Sequence, residues 1–433
     1  MATDVVLSLE IGSTFTKLVA FTAARDDLRP LGRWTSRTTV ADVRVGARQV
    51  LARAREAGIT SVDEVRLSSS AAGGLRIAVC GLTPTLSTKI GLEVALGAGG
   101  VVVQSTSGPL EARDVAELIR GRPGLVLICG GTDGGERTTV LANVAALAKA
   151  DGDPLFVFAG NRRAGAEAEE LLADGGKRVV SADNVYPESG HFRFDEVREL
   201  IRVGFERDVV KAPGIAELQD EFDTGCVPTP LAVSRAVRLL GRRLGGLIAF
   251  DVGGATTDVH SYLPDQSAAD ILHATVEPEL KRTVEGDLGV FHNLANLLDD
   301  GEPAPQPDDP VLTGDRLRRY ALRAVARGLA RHCGHVLHAQ PGMLSGQVVY
   351  GADLRSVPAV LATGGALLHG LTDPAQLRAP VTEAAASRLA PTAVRTWLMD
   401  RHYLMSSLGT LLPERADAVG GFLDRTLEEG EWC

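Results

Sequence analysis

Aromatic side chains make up only 4% of this 433-residue chain, lysine occurs six times against 39 arginines, and cysteine occurs five times. Each shortage excludes something. Cys80, Cys129, Cys226, Cys333 and Cys433 stand far apart, so there is no C-x-x-C pair and no sequence-local zinc or iron–sulfur ligand set. Their odd number reads as reduced thiols in a cytosol. No apolar stretch reaches the ~18 residues of a membrane-spanning helix. No basic run interrupts a net charge of −10, which speaks against a nucleic-acid partner. The chain opens Met1-Ala2-Thr3-Asp4 and enters a strand-like run with no charged leader or cleavage site, so a cytoplasmic location without membrane attachment is expected. Trp34, Trp397 and Trp432 are scattered and form no stacking platform. Disorder is excluded by a hydrophobic share of 45% and by 21 thinly spread prolines.

Glycine is in excess. Its 48 residues exceed the usual share of about 7%, and they lack the fixed period of collagen. They fall in clusters, and each cluster follows a short apolar run. Residues 5–9 and 18–21 read as two strands of a hairpin around a Gly/Ser/Thr turn. Residues 43–56 read as a helix, and 64–68 lead into the small-residue loop 68–74. From about 75 to 215 short buried strands (101–103, 125–129, 155–159, 178–181) alternate with helices (112–119, 140–150, 164–174). That rhythm predicts a parallel sheet with helices on both faces, and ligands in such sheets sit at the carboxyl ends of strands, where Gly130 to Gly135 falls. Strands at 245–250 and 259–262 then repeat the hairpin device about 240 residues after its first appearance. Residues 299–310 read as a surface loop, 315–339 as a long helix and 359–361 as a last strand, with a mostly helical remainder. The repetition predicts two lobes of one plan, 1–244 and 245–433, with the 75–215 region inserted in the first.

Three clusters carry chemistry. Glu10-Ile11-Gly12-Ser13-Thr14-Phe15-Thr16-Lys17 and Asp251-Val252-Gly253-Gly254-Ala255-Thr256-Thr257-Asp258 are each a carboxylate at a strand end followed by a Gly/Thr turn. Such a turn points backbone N–H groups into one concavity that suits an anion, phosphate above all. Hydroxyls at Ser13, Thr14, Thr16, Thr256 and Thr257 add short donors, and Lys17 adds a charge for phosphate or points to solvent. Glu10 or Asp251 would hold a magnesium ion through waters. In Thr363-Gly364-Gly365-Ala366 the glycines let a base and ribose lie against backbone. Alone, the first turn is a hairpin and the third a routine strand-to-helix turn; together and in order they are a nucleotide site, read through amides and hydroxyls rather than by aromatic stacking.

The order of the three resembles the ATPase superfamily of actin, sugar kinases and heat-shock chaperones. The first cluster matches its first phosphate motif, the second its second, and 362–366 its adenosine motif. The resemblance implies an α/β fold of two ribonuclease-H-like lobes with ATP and Mg2+ in the cleft, and Glu10 and Asp251 as catalytic residues. The family has Asp where this chain has Glu10; the longer side chain still reaches a hydrated metal. Residues 68–79, 128–135, 158–162, 184–187 and 251–261 further resemble the MutL/GlmL accessory family of adenosylcobalamin-dependent glutamate mutase, which includes partners of ornithine aminomutase and is unrelated to the mismatch-repair protein of the same name. That resemblance implies an ATP-driven reactivating chaperone that opens a mutase so that damaged cobalamin can exchange. Two other classes share the fold: a small-molecule kinase, which needs an acceptor-side base that no residue here identifies, and a filament-forming actin relative. Oligomeric state is left open.

Other residues have two readings. His332, His335 and His338 have helical spacing for a metal site or for an ordinary helix face. Asp133 either touches a nucleotide or partner, or caps a helix. Asp258 is a further site candidate, and His260 reads as structural.

Overall fold

The computed structural model describes residues 4–428 except 40, 71–74, 99, 210–211, 265–270, 274–278, 292, 300, 303–312, 338–346 and 386–387. Parts of the loops expected at 68–74 and 299–310, and also His338, Trp432 and Cys433, lie outside the described residues. Contacts gather into two compact units. One comprises Met1–Gly73, Val209–His273 and Glu277–Cys433, the other Gly74–Asp208 and Ala274–Val276.

The first unit begins with β1 (Asp4–Ile11), β2 (Phe15–Ala23), β3 (Leu28–Arg37), α1 (Val43–Glu56) and β4 (Glu64–Ser69). The chain then builds the second unit from β5 (Arg76–Gly81), α2 (Lys89–Gly97), β6 (Val101–Ser107), α3 (Ala112–Arg120), β7 (Leu125–Ile128), α4 (Thr138–Ala148), β8 (Leu155–Phe158), α5 (Gly165–Asp174), β9 (Arg178–Ser181) and α6 (Asp195–Val209). Back in the first unit come α7 (Ile215–Phe222), β10 (Cys226–Pro228), α8 (Thr229–Leu244), β11 (Leu247–Val252), β12 (Thr257–Tyr262), β13 (Ile271–His273) and β14 (Leu280–Glu285). Then follow α9 (Gly314–His332), β15 (His335–Leu337), β16 (Gln347–Tyr350), β17 (Ala359–Thr363), α10 (Gly365–Gly370), α11 (Arg378–Ala385), β18 (Thr396–Met399) and α12 (Met405–Glu428).

Two sheets of the first unit share one topology. The first runs β3-β2-β1-β4-β10 and the second β14-β12-β11-β17-β18. In each, the first three strands in sequence pair antiparallel, and the fourth and fifth add in parallel to the first. This third-second-first-fourth-fifth order is that of a ribonuclease-H-like lobe, and the chain contains it twice. A small sheet, β13-β16-β15, is also present.

Side-chain alternation decides what each strand end presents. In β1, Leu7, Leu9 and Ile11 pack with Val43, Ala47 and Val50 of α1. The intervening Val6, Ser8 and Glu10 face the other way: Val6 joins a core shared with α8 and α12, and Ser8 Oγ meets Thr410 Oγ1 of α12 at 3.1 Å. In β11, Ile248, Phe250 and Val252 pack with α9, α10 and α11, whereas Leu247 and Ala249 join the α8–α12 core. Glu10 and Asp251 therefore close two equivalent rows directed at one middle layer. Within that layer α8 and α12 approach so closely at Gly409 that a Cβ there would lie 1.7 Å from the Ala232 carbonyl oxygen.

The second unit is a five-stranded sheet ordered β6-β5-β7-β8-β9, parallel throughout. Strands β5, β7 and β8 pack with α3, α4 and α5 on one face. On the other, Gly91 of α2 lies against Val79 and Cys129.

Two sequence expectations fail locally. The helix expected over 315–339 ends at His332: Cys333 turns extended, at φ −74° and ψ 153°, and Gly334 N donates to Ala352 O across a bridge. The remainder after residue 361 is not wholly helical, because β18 adds a parallel strand beside β17.

Candidate functional site

The two hairpin turns are built alike. Gly12 N donates to Phe15 O at 3.0 Å in the first, and Gly253 N donates to Thr256 O at 2.9 Å in the second. Each turn is tied down by the segment that follows the hairpin's outer neighbour strand, β3 or β14. Thr38 N donates to Thr14 O, and Thr38 Oγ1 to Gly12 O. Val290 N and Phe291 N donate to Gly253 O and Gly254 O. The turns face one another: a Cβ on Gly254 would sit 3.5 Å from Thr14 Oγ1. Pairing register equates further positions. Glu10 lies beside Lys17 and Ser68, and Asp251 beside Asp258 and Thr363.

At this meeting place charges are buried in excess of their partners. Lys17 Nζ donates to Glu10 Oε1 at 2.9 Å and stands 3.5 Å above the centre of the Tyr403 ring. Ser406 Oγ, in the first turn of α12, donates to Glu10 Oε2 at 2.5 Å. Arg282 of β14 holds Asp258 Oδ1 through Nε at 3.0 Å and Nη2 at 2.6 Å. Among the described residues no such hydrogen-bonded cation is found for Asp251. Burial, reinforced by Asp258, Glu10 and Asp400 against the opposing field of Lys17, raises its pKa to about 7. Asp400 is raised to about 6, again chiefly by burial, although its oxygens accept from Leu404 N, Met405 N and Thr363 Oγ1.

These observations test whether the site fits a nucleotide with a divalent cation. Thr14 Oγ1 and Ser68 Oγ are buried with no hydrogen-bond partner, as is Thr229 Oγ1 at the start of α8. Buried hydroxyls are rarely left so, and phosphate oxygens or cation-bound waters would satisfy them. The surplus of buried carboxylates suits a cation. Among the described residues no three His, Cys, Asp or Glu side chains form a direct ligand cage, so a cation here would keep waters and use phosphate oxygens. The residues fit.

The sequence candidates divide. Glu10, Gly12, Thr14, Lys17, Asp251, Gly253, Gly254 and Asp258 come together, with Ser13 exposed on the first turn. The hydroxyls of Thr16 and Thr257 do not reach the concavity. Thr16 bonds Thr38 Oγ1 and Thr257 bonds Leu288 O, because both occupy the strand face opposite Lys17 and Asp258. Thr256 Oγ1 donates to Asp258 Oδ2. Gly364 is required by the protein itself: its φ is +86°, and a Cβ would lie 2.4 Å from Asp251 Oδ1. Gly365 has open space around it, while Ala366 is buried in the core of the second sheet. Lys17 neither points to solvent nor stands free for phosphate, being paired with Glu10 and Tyr403.

Asp133 lies in the second unit and serves its own loop. Its Oδ1 accepts from Arg162 N and from Asn184 Nδ2. Asn161, fully buried, accepts from Gly134 N and Arg163 N and donates to Gly135 O and Glu136 O, fixing the exposed glycine loop after β7. His332 is no surface residue: its ring nitrogens meet Thr283 Oγ1 and Ser261 Oγ at 2.9 and 2.8 Å in full burial. His260 is also fully buried, with Nδ1 on Ser234 Oγ. Burial holds both imidazoles well below their ordinary pKa.

Sequence reasoning missed Tyr403, Ser406, Asp400 and Arg282. Only the strand order brings them to the turns; their local sequence carries no motif. Phe15 and Phe291, 42% and 47% exposed, also border the turns, so aromatics are nearer to the site than their scarcity suggests.

Two like ribonuclease-H-like sheets, each ending in a carboxylate and a Gly/Thr turn, place the chain in the actin-like ATPase fold class. The chain belongs to the MutL protein family, whose family model matches residues 6–308 and 304–427. It is similar to Protein MutL of Clostridium tetanomorphum, 29% identical over 457 aligned residues that cover 95% of this chain and 97% of the relative. Among solved structures it is similar to a glycerol dehydratase reactivase (12% identity, 95% of this chain and 100% of that one, TM-score 0.37). A diol dehydratase-reactivating factor in nucleotide-free form gives 12% identity, the same coverages and a TM-score of 0.36. At such scores neither likeness carries an argument about function. No helix among the described residues is long and apolar enough to cross a membrane.

Proposed function

We propose that the chain is an ATP-dependent reactivating chaperone of the cytoplasm. Its client would be an adenosylcobalamin-dependent mutase, the glutamate mutase subunits or an ornithine aminomutase type, from which it promotes release of damaged cobalamin. One observation carries the nucleotide part of this reading. Glu10 and Asp251 close equivalent rows of two like sheets, beside facing turns, and the buried hydroxyls of Thr14 on the first turn and of Ser68 on the adjoining strand β4 lack partners. Family membership and the motifs of residues 68–79, 128–135 and 251–261 support the client class.

In this reading the turns at 12–15 and 253–256 cradle the phosphates, and the glycines at 364–365 lie against the adenosine. Glu10 and Asp251 hold a hydrated Mg2+, which when bound supplies charge stabilisation for phosphoryl transfer to water. Asp251, with its pKa raised to about 7, binds a proton more readily than an ordinary carboxylate in the nucleotide-free site and yields it as positive charge arrives. Arg282 keeps Asp258 engaged through two hydrogen bonds. Closing and opening of the two like sheets about the α8–α12 crossing would alternate affinity for the client.

The test is hydrolysis of ATP by the purified chain with and without a mutase loaded with cobalamin lacking its adenosyl group. Mutase-stimulated hydrolysis with release of the cobalamin supports the reading. A phosphorylated small molecule as the main product would instead assign the site to a kinase.

A further inference from the structure

Tyr403 belongs to none of the motifs, yet it stands at the centre of the buried charges. It lies between β18 and α12 with φ +54°, a left-handed backbone that a bulky side chain seldom adopts. The conformation is held from both sides. Tyr403 N donates to Asp400 O at 2.8 Å, and the Asp400 carboxylate caps Leu404 N and Met405 N at 2.7 and 3.0 Å. The outcome of this constrained turn is a ring whose centre lies 3.5 Å from Lys17 Nζ. The same ammonium donates to Glu10 Oε1, and the other oxygen of Glu10 takes the Ser406 hydroxyl. Two residues from distant parts of the chain, Glu10 and Tyr403, thus converge on one lysine at the mouth of the first turn, and Ser406 joins them through Glu10.

We propose that Tyr403 is a positioning residue that competes with nucleotide phosphate for Lys17. The proposal rests on the nucleotide site described above. In the nucleotide-free protein the ring and Glu10 hold the ammonium. A phosphate in the cradle draws the ammonium off the ring, and Glu10 is then bound to α12 through Ser406 alone. The start of α12 thereby senses whether the cradle is filled. An aromatic face is the right competitor: it stabilises a desolvated ammonium without a formal charge, so it yields to a phosphate where a second carboxylate would not.

The experiment is ATP·Mg2+ binding by isothermal titration to the full chain and to Tyr403→Phe, Tyr403→Leu, Tyr403→Gly and Lys17→Met, together with the Tyr403→Leu/Lys17→Met double variant. Tyr403→Phe keeps the ring and should bind as the parent does. Removing the ring should tighten binding about fivefold. Tyr403→Gly suits the left-handed backbone and so keeps the measurement meaningful if Tyr403→Leu folds poorly. Lys17→Met should weaken binding, and in its background the gain from Tyr403→Leu should vanish. A purely structural tyrosine would give weaker or unchanged binding in both ring-deleted variants, and that result would overturn the proposal while leaving the nucleotide site intact. A parent chain that binds no ATP would overturn the nucleotide reading and the proposal with it.

Discussion

Asp251 is a half-buried acid with neighbours of its own sign, and that has a consequence for stability. Its pKa in the folded chain, about 7, lies above the ordinary value of 3.8. The folded state therefore binds this proton more tightly than the unfolded state, and the stability it confers is complete below about pH 4 and lost as pH rises through 7. Asp251→Asn mimics the protonated acid. In nucleotide-free protein it should raise the melting temperature at pH 8, by roughly 2–6 °C, and raise it by less at pH 5, where part of the contribution is still present. Thermal denaturation at both pH values checks the sign; equal effects at the two would detach Asp251 from the buried carboxylate cluster. At Gly364, Ala would bring a Cβ to 2.4 Å from Asp251 Oδ1 on a backbone at φ +86°. Gly364→Ala should cost about 1–3 kcal/mol of stability and weaken nucleotide binding as Asp251 shifts, both measurable on one purified variant.

Among the elements, α8 and α12 hold the middle layer together. Their contact leaves no room at Gly409, where even a methyl group would meet the Ala232 carbonyl. Gly409→Ala should destabilise the first unit by about 1–3 kcal/mol in urea unfolding, whereas Gly365→Ala, with open space around it, should change stability by less than about 1 kcal/mol. These elements also show what a sequence discloses. The spacing of apolar residues predicts α1 over 43–56, and the structure has Val43–Glu56; both turns are legible because glycine, threonine and a carboxylate follow apolar runs. The end of α9 is not legible. The histidines at 332, 335 and 338 keep helical spacing past the Arg/Ala-rich stretch, but tertiary contacts, the buried His332 bonds and the Gly334 N to Ala352 O bond, draw the chain out of the helix at Cys333. Strand β18 is four residues long and is fixed by its pairing with β17 rather than by its own pattern. Tyr403 and Ser406 were invisible for the same reason: their importance lies in which strand end they meet, which is a property of sheet order.

At the scale of the whole molecule, the chain is one duplicated sheet plan carrying a separate parallel α/β unit. The duplication places two acids and two turns in equivalent positions, and their surroundings make the pair chemically unequal: Glu10 is tied to Lys17 and Ser406, whereas the pKa of Asp251 is raised to about 7. The second unit has its own order. The fully buried Asn161 and nearly buried Asn184 hold an exposed glycine loop at the carboxyl end of its parallel sheet. The central claim is that ATP turnover in the duplicated sheets drives release of damaged cobalamin from a mutase. Its most direct measurement is the absorbance of cobalamin freed from an inactivated mutase on mixing with the chain, ATP and Mg2+, run beside Asp251→Ala. The account predicts release that needs ATP and is lost in the variant while its fold, followed by circular dichroism, persists. Release that proceeds equally without ATP, or undiminished with Asp251→Ala, would contradict it.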